Sequence, residues 1–182
     1  MFKGLFDNQT AKEIQQQERE YLDNQKREDL TRRAAQFDLS ALDEARGNAN
    51  RYQEILDTLI EQIFASQEKL EALVSHISKS RELRASQRLA EIVMEQFKNS
   101  PNTKNLTQML HIAALADDAA VFGKSIELAV DFWKKGLLPK LSAKKLLTLM
   151  QSEYWLLSST AKRSGDGFGL KTRLGELRNQ LT

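Results

Sequence analysis

The side chains with chemistry to offer are few: two histidines, an acidic pair, a glycine-rich segment and a run of lysines and arginines. His76 and His111 stand 35 residues apart. Neither has a His or carboxylate at i+4, the helical spacing that would complete a metal pair. With no Cys in 182 residues, thiolate metal sites, disulfides and a Cys nucleophile are excluded. There is no G-x-S-x-G elbow, no H-E-x-x-H and no P-loop lysine with its glycine spacing. The expectation is no catalytic, metal or cofactor site. Asp117 and Asp118 are adjacent, so on a helix they point about 100° apart, and they read as a solvated face.

The segment Gly165-Asp166-Gly167-Phe168-Gly169 precedes a leucine-periodic stretch. Backbone N–H groups at a helix N-terminus can hold an anion, and Lys162, Arg163 and Lys171 are near in sequence. No strand precedes it, so it is not a dinucleotide fingerprint. Ser158 to Gly169 reads as a flexible loop, because three glycines in five residues are costly inside a regular element.

Charge is distributed unevenly. The whole chain is +2, whereas residues 134–182 carry ten basic and three acidic side chains. Lys140, Lys144, Lys145, Lys162, Arg163, Lys171 and Arg173 form the expected basic patch, suited to nucleic acid, anionic lipid or an acidic protein. Lys144 and Lys145 open a helix whose dipole is positive at that end, which sharpens the expectation of use.

These residues must be positioned by helices. There are 27 Leu and 18 Ala against four Val and eight Ile, a mixture that favours helix over strand. No window alternates long enough for a strand. The fold class expected is all-α, with a long-helix, coiled-coil-like N-terminal half joined to a compact helical bundle. Three segments are expected: a polar helical arm over 1–38, a long helix or helical hairpin over 39–99, and the bundle over 100–182.

In the arm, Thr10 and Glu13 fit a capping box. Its apolar residues are sparse, so Phe2, Leu5, Phe6, Ile14 and Tyr21 read as anchors for another chain. From Ala45 to Ile77 the apolar steps alternate 4 and 3, through Ala49, Tyr52, Leu56, Leu59, Ile63, Ser66, Leu70 and Leu73. That is a heptad seam. A single helix from Ser40 to Ser78 would be ~58 Å long. Its apolar face is too wide for a two-stranded zipper, since Ile55, Ile60 and Val74 flank it, and it suits a bundle. Phe64 lies off the seam and calls for a further contact. Residues 78–86 either continue the helix or bend it.

Later helices are expected from Thr103 to Phe122, with Gly123 as cap or kink, and from Lys124 to Lys135, with Gly136 in the left-handed terminal position. Ser142 should cap another, ending near Leu157. No run approaches the ~20 apolar residues of a membrane span, and no leader is visible, so the expected location is cytoplasmic. The function expected is non-enzymatic: an adaptor, scaffold or assembly subunit joined by helix–helix contacts to another protein or to its own copies. The alternative is a nucleic-acid-binding accessory protein using residues 134–182.

Overall fold

The computed structural model describes the backbone of residues 3–64 and 66–181, and the side chains of residues 11–64 and 66–179. Among the described residues the fold is all-helical, a helical bundle of ten helices with no strand. They are α1 (Lys3–Ala35), α2 (Ser40–Ala45), α3 (Ala49–Ile63), α4 (Gln67–Ser80), α5 (Leu83–Asn99), α6 (Thr103–Leu115), α7 (Ala119–Lys134), α8 (Ala143–Tyr154), α9 (Ser159–Arg163) and α10 (Gly165–Leu181). None of the described helices is long and apolar enough to cross a membrane. The chain divides once into compact units, Met1–Leu73 and Val74–Thr182. That differs from the expected divisions at 38/39 and 99/100, because α1 packs on α2 and α3, and α5 packs on α6.

Most seam residues are buried as their spacing predicts, but Ala49, the first residue of α3, is exposed and Ser66 half-buried. Leu56, Leu59, Leu73 and Ile77 are fully buried, and Tyr52, Ile63 and Leu70 nearly so. The single long rod is not formed. Local polar side chains break it twice by capturing backbone N–H groups. The Asn48 side chain accepts from the Arg51 N–H at 3.1 Å and starts α3. The Ser66 hydroxyl accepts from the Lys69 N–H at 3.3 Å beside the start of α4. Phe64, left at the end of α3, finds no third contact and is 73% exposed. Residues 78–86 bend, with Arg81 left-handed at φ 52° between α4 and α5.

The capping box expected at Thr10 is not a helix start, since α1 is already helical from Lys3. α1 ends in a Schellman turn built on Phe37 at φ 61°. The Phe37 N–H donates to Ala34 O at 2.8 Å and the Asp38 N–H to Arg33 O at 3.0 Å. Beyond it, Asp38 accepts from the Ser40 hydroxyl at 2.6 Å and the Ser40 N–H at 3.0 Å. Arg33 reaches Asp38 at 2.8 Å and Glu44 at 2.7 Å. The Ser40 hydroxyl, the Arg33 guanidinium and the Ser40 N–H together lower the Asp38 carboxyl from its ordinary 3.8 to about 2.

A depressed carboxyl stabilises the fold above its unfolded pKa and loses that contribution as pH falls through the folded value. Asp38→Asn is therefore expected to lower the thermal midpoint at neutral pH. The difference from the parent should shrink below pH ~4 and vanish only below pH ~2. Parallel thermal melts across that range check it.

In the second unit, α6 and α7 break at Asp117–Asp118, not at Gly123. Asp117 is left-handed at φ 52°, and Asp118 caps α7 by accepting from Ala120 N–H at 2.8 Å and Val121 N–H at 3.1 Å. Gly123 lies inside α7, where an added Cβ would come 3.2 Å from Leu170 Cδ2, so its role is close packing of α7 on α10. Gly136 is left-handed at φ 73°, as expected. Ser142 caps α8, also as expected, accepting from the Lys145 N–H at 3.3 Å. Phe97 of α5 and Phe132 of α7 pack with ring centroids 5.1 Å apart.

Candidate functional site

The second unit carries a groove of about 570 Å³ between the end of α8, α9 and α10. Its construction starts with the glycine segment. Ser158 to Gly169 is not a loop. Ser158 caps α9, accepting from the Ala161 N–H at 3.1 Å, and the Ser164 hydroxyl accepts from the Gly167 N–H at 3.0 Å in the first turn of α10. The glycines are kept there by sterics. A Cβ at Gly167 would collide with Ala161 O and lie 2.6 Å from Lys162 O, so only glycine lets α10 turn this tightly off α9. Two first-turn N–H groups are engaged locally, that of Gly167 by the Ser164 hydroxyl and that of Phe168 by Ser164 O at 3.1 Å.

The walls are aromatic. Trp155, the last residue of the α8 turn, is 73% exposed, and Phe168 is 63% exposed. Tyr154 meets Trp155 edge-on, with centroids 6.0 Å apart. The Lys162 ammonium lies 5.4 Å from the Tyr154 ring centre and 5.1 Å from that of Trp155, a cation–π arrangement. It also donates to Trp155 O at 3.0 Å, closing the carbonyl end of α8. The turn is held from below, since the Asp117 carboxylate accepts from the Ser158 N–H at 2.7 Å. Asp117 and Asp118 are thus a tie and a cap, not the solvated helix face their adjacency suggests.

Leu174 forms the floor at 6% exposure. Lys171, Gly175 and Arg178 line the α10 side, and no carboxylate is among the lining residues described. The groove therefore presents three cations around a mainly apolar surface.

The expected basic patch is dispersed. Lys162 and Lys171 share this groove. Arg163 is exposed at the end of α9. Arg173 lies on another side of α10, in the depression against α7 with Glu127, and pairs with Glu176 at 3.3 Å. Lys140, Lys144 and Lys145 are exposed around the start of α8, and from Lys145 to Tyr154 the helix rises ~13.5 Å. Tyr154, Trp155, Phe168 and Arg178 were absent from the sequence-derived site. The available signal was the 3-4-3 spacing of Phe168, Lys171, Gly175 and Arg178, which runs beside the buried Leu170, Leu174 and Leu177 and carries the helix back across the glycines.

The first unit carries the other exposed feature. Every residue from Ala11 to Glu28 on α1 is exposed, whereas Leu30 and Ala34 are buried. Ile14 is 52% exposed and Tyr21 and Leu22 62%. At 3.6 residues per turn, Ile14 and Tyr21 lie on the side of the helix nearly opposite Leu30 and Ala34. Asp23–Arg51 at 2.7 Å and Arg27–Glu54 at 2.8 Å tie α1 to α3 on the packed side. Of the other proposed anchors, Phe2 lies outside the described residues, as do the side chains of Leu5 and Phe6.

His111 Nδ1 lies 2.8 Å from Glu153 Oε2, joining α6 to α8. Among the described residues no group of three His, Asp or Glu gathers as a metal set. No protein family, no curated protein and no solved structure matches this chain.

Proposed function

We propose that this protein is a non-enzymatic adaptor or assembly subunit of the cytoplasm, acting through helix–helix contact with a protein partner. The observation that carries the reading is the outward face of α1. Eighteen consecutive exposed residues remain helical, although most helical stability in proteins comes from packing of an apolar face. A partner helix laid along Ile14, Tyr21 and Leu22 supplies the missing burial. On this reading the heptad seam is the core of the first unit, and coiled-coil-like pairing belongs to α1.

The groove on the second unit favours a second reading, an accessory protein that binds single-stranded nucleic acid. Trp155 and Phe168 offer stacking faces, and Lys162, Lys171 and Arg178 offer phosphate contacts. The apolar floor at Leu174 fits a protein side chain better than a phosphate backbone.

Capture from native lysate, with and without nuclease, separates the two. The chain and a form lacking residues 1–22 are compared, which leaves the Asp23 and Arg27 ties in place. The adaptor reading expects nuclease-resistant capture that is lost with residues 1–22. Capture abolished by nuclease, and unaffected by that deletion, would establish the second reading instead.

A further inference from the structure

We infer that the aromatic, basic groove of α8–α10 receives the outward face of α1 from a second copy of this chain. This rests on the adaptor reading and names its partner.

The two surfaces are complementary in charge. Glu18 lies within the exposed Ile14–Tyr21–Leu22 stripe, and Glu13 and Glu20 form one flank of it, the flank that faces the groove, while Lys12 and Arg19 lie on the other side. The groove offers Lys162, Lys171 and Arg178 and no described carboxylate. Opposed potentials of this kind fix the register of an interface.

The spacings agree as well. Glu13 and Glu20 are seven residues apart on α1, as are Lys171 and Arg178 on α10. Each pair spans about 10.5 Å along its helix and keeps to one side of it. Ile14 and Tyr21 repeat at the same interval, and so do Phe168 and Gly175. Gly175 is exposed, and a Cβ there would meet nothing within 4 Å. It leaves a notch above Leu174, flanked by Phe168 and Trp155, in which an Ile or Tyr side chain of the incoming helix packs. The stripe from Ile14 to Leu22 covers about 12 Å and the groove face from Phe168 to Arg178 about 15 Å.

Pairing of α1 with α1 is disfavoured by the same residues. Glu18 lies midway between Ile14 and Leu22, so either a parallel or an antiparallel pairing centred on the stripe sets Glu18 against its own copy. In the groove that carboxylate meets cations. The contact joins two different surfaces, so it closes as a ring where the rotation between copies allows and otherwise extends from copy to copy.

Charge reversal with mixing tests this in the full chain. One variant carries Glu13→Lys and Glu20→Lys, the other Lys171→Glu and Arg178→Glu. All four positions are exposed, and circular dichroism of both variants should match the parent, which checks that they fold. Sedimentation velocity at low salt should show the parent self-associating. Each variant alone should associate about a hundredfold more weakly, like facing like. An equimolar mixture should recover parental association, because each altered surface then meets an opposite one. Association that survives either reversal overturns the inference, and so does a mixture that stays at monomer mass. A parent that is monomeric throughout, yet still needs residues 1–22 for nuclease-resistant capture, overturns it and leaves the adaptor reading standing. Capture indifferent to residues 1–22 removes both.

Discussion

Truncating Leu59 to Ala is expected to cost the first unit about 2–5 kcal/mol, the range for deleting a buried leucine whose surroundings do not fully collapse. Leu59 is completely buried in α3, where Tyr52, Ile55, Leu56, Ile60 and Ile63 are buried with it. Buried residues of α1 and α2 face the same core: Leu30 and Ala34 from one, Ala41, Leu42 and Ala45 from the other. For a unit of this size such a loss lowers the thermal midpoint by at least ~8 °C. Phe64→Ala serves as the comparison, since that ring is 73% exposed, and a surface truncation of this kind stays within about 0.5 kcal/mol. An unchanged midpoint for Leu59→Ala would mean that the seam is a surface awaiting a partner, not the core of the unit.

Gly167→Ala is expected to act on the groove. The new methyl group would collide with Ala161 O and crowd Lys162 O, both backbone atoms that a rotamer change cannot move. Overpacking of this kind costs about 1–3 kcal/mol. Its relief requires α10 to pull away from α9. Phe168 and Lys171 then leave Trp155 and Lys162, and the groove opens. Nuclear Overhauser contacts between residue 167 and Ala161 or Lys162 should be lost, and self-association with them, whereas those between the Lys162 side chain and the Trp155 indole lie within α9 and the α8 turn and should persist. Gly175→Ala, eight residues along the same helix, should have the opposite sign in stability. It meets no neighbour, and replacing an exposed mid-helix glycine gains about 0.5–1 kcal/mol. It should nevertheless weaken self-association, because it fills the notch. Stability and association moving in opposite directions at Gly175 distinguishes a binding surface from a merely structural one. If Gly167→Ala retains the contacts of residue 167 with Ala161 and Lys162, the α9–α10 turn is softer than its geometry implies.

What the sequence determined by itself is what local chemistry and periodicity control. The Leu- and Ala-rich composition specified helix. The 4-3 spacing through Leu56, Leu59, Ile63, Leu70 and Leu73 identified buried residues. Gly136 and Ser142 marked a helix end and a helix start because their backbone preferences act within a few residues. Ile14 and Tyr21 were legible as exposed residues, since no apolar mates recur around them.

Tertiary structure decided the rest. Three helices end on residues without glycine's signature, for Phe37, Arg81 and Asp117 adopt the left-handed conformation that the surrounding packing imposes. That is why the boundaries around α4 and α6 were not visible in the residues. Gly123 and Gly167 looked like punctuation, yet both lie inside helices, because a glycine that lets two backbones approach cannot be told from a helix breaker without the second backbone in view. The same holds for the groove. Trp155, Lys162 and Phe168 are ordinary surface residues along the chain. Only the tight turn of α10 off α9 brings the two rings and the cation onto one surface, because contact across separate helices is set by packing and not by spacing along any one of them.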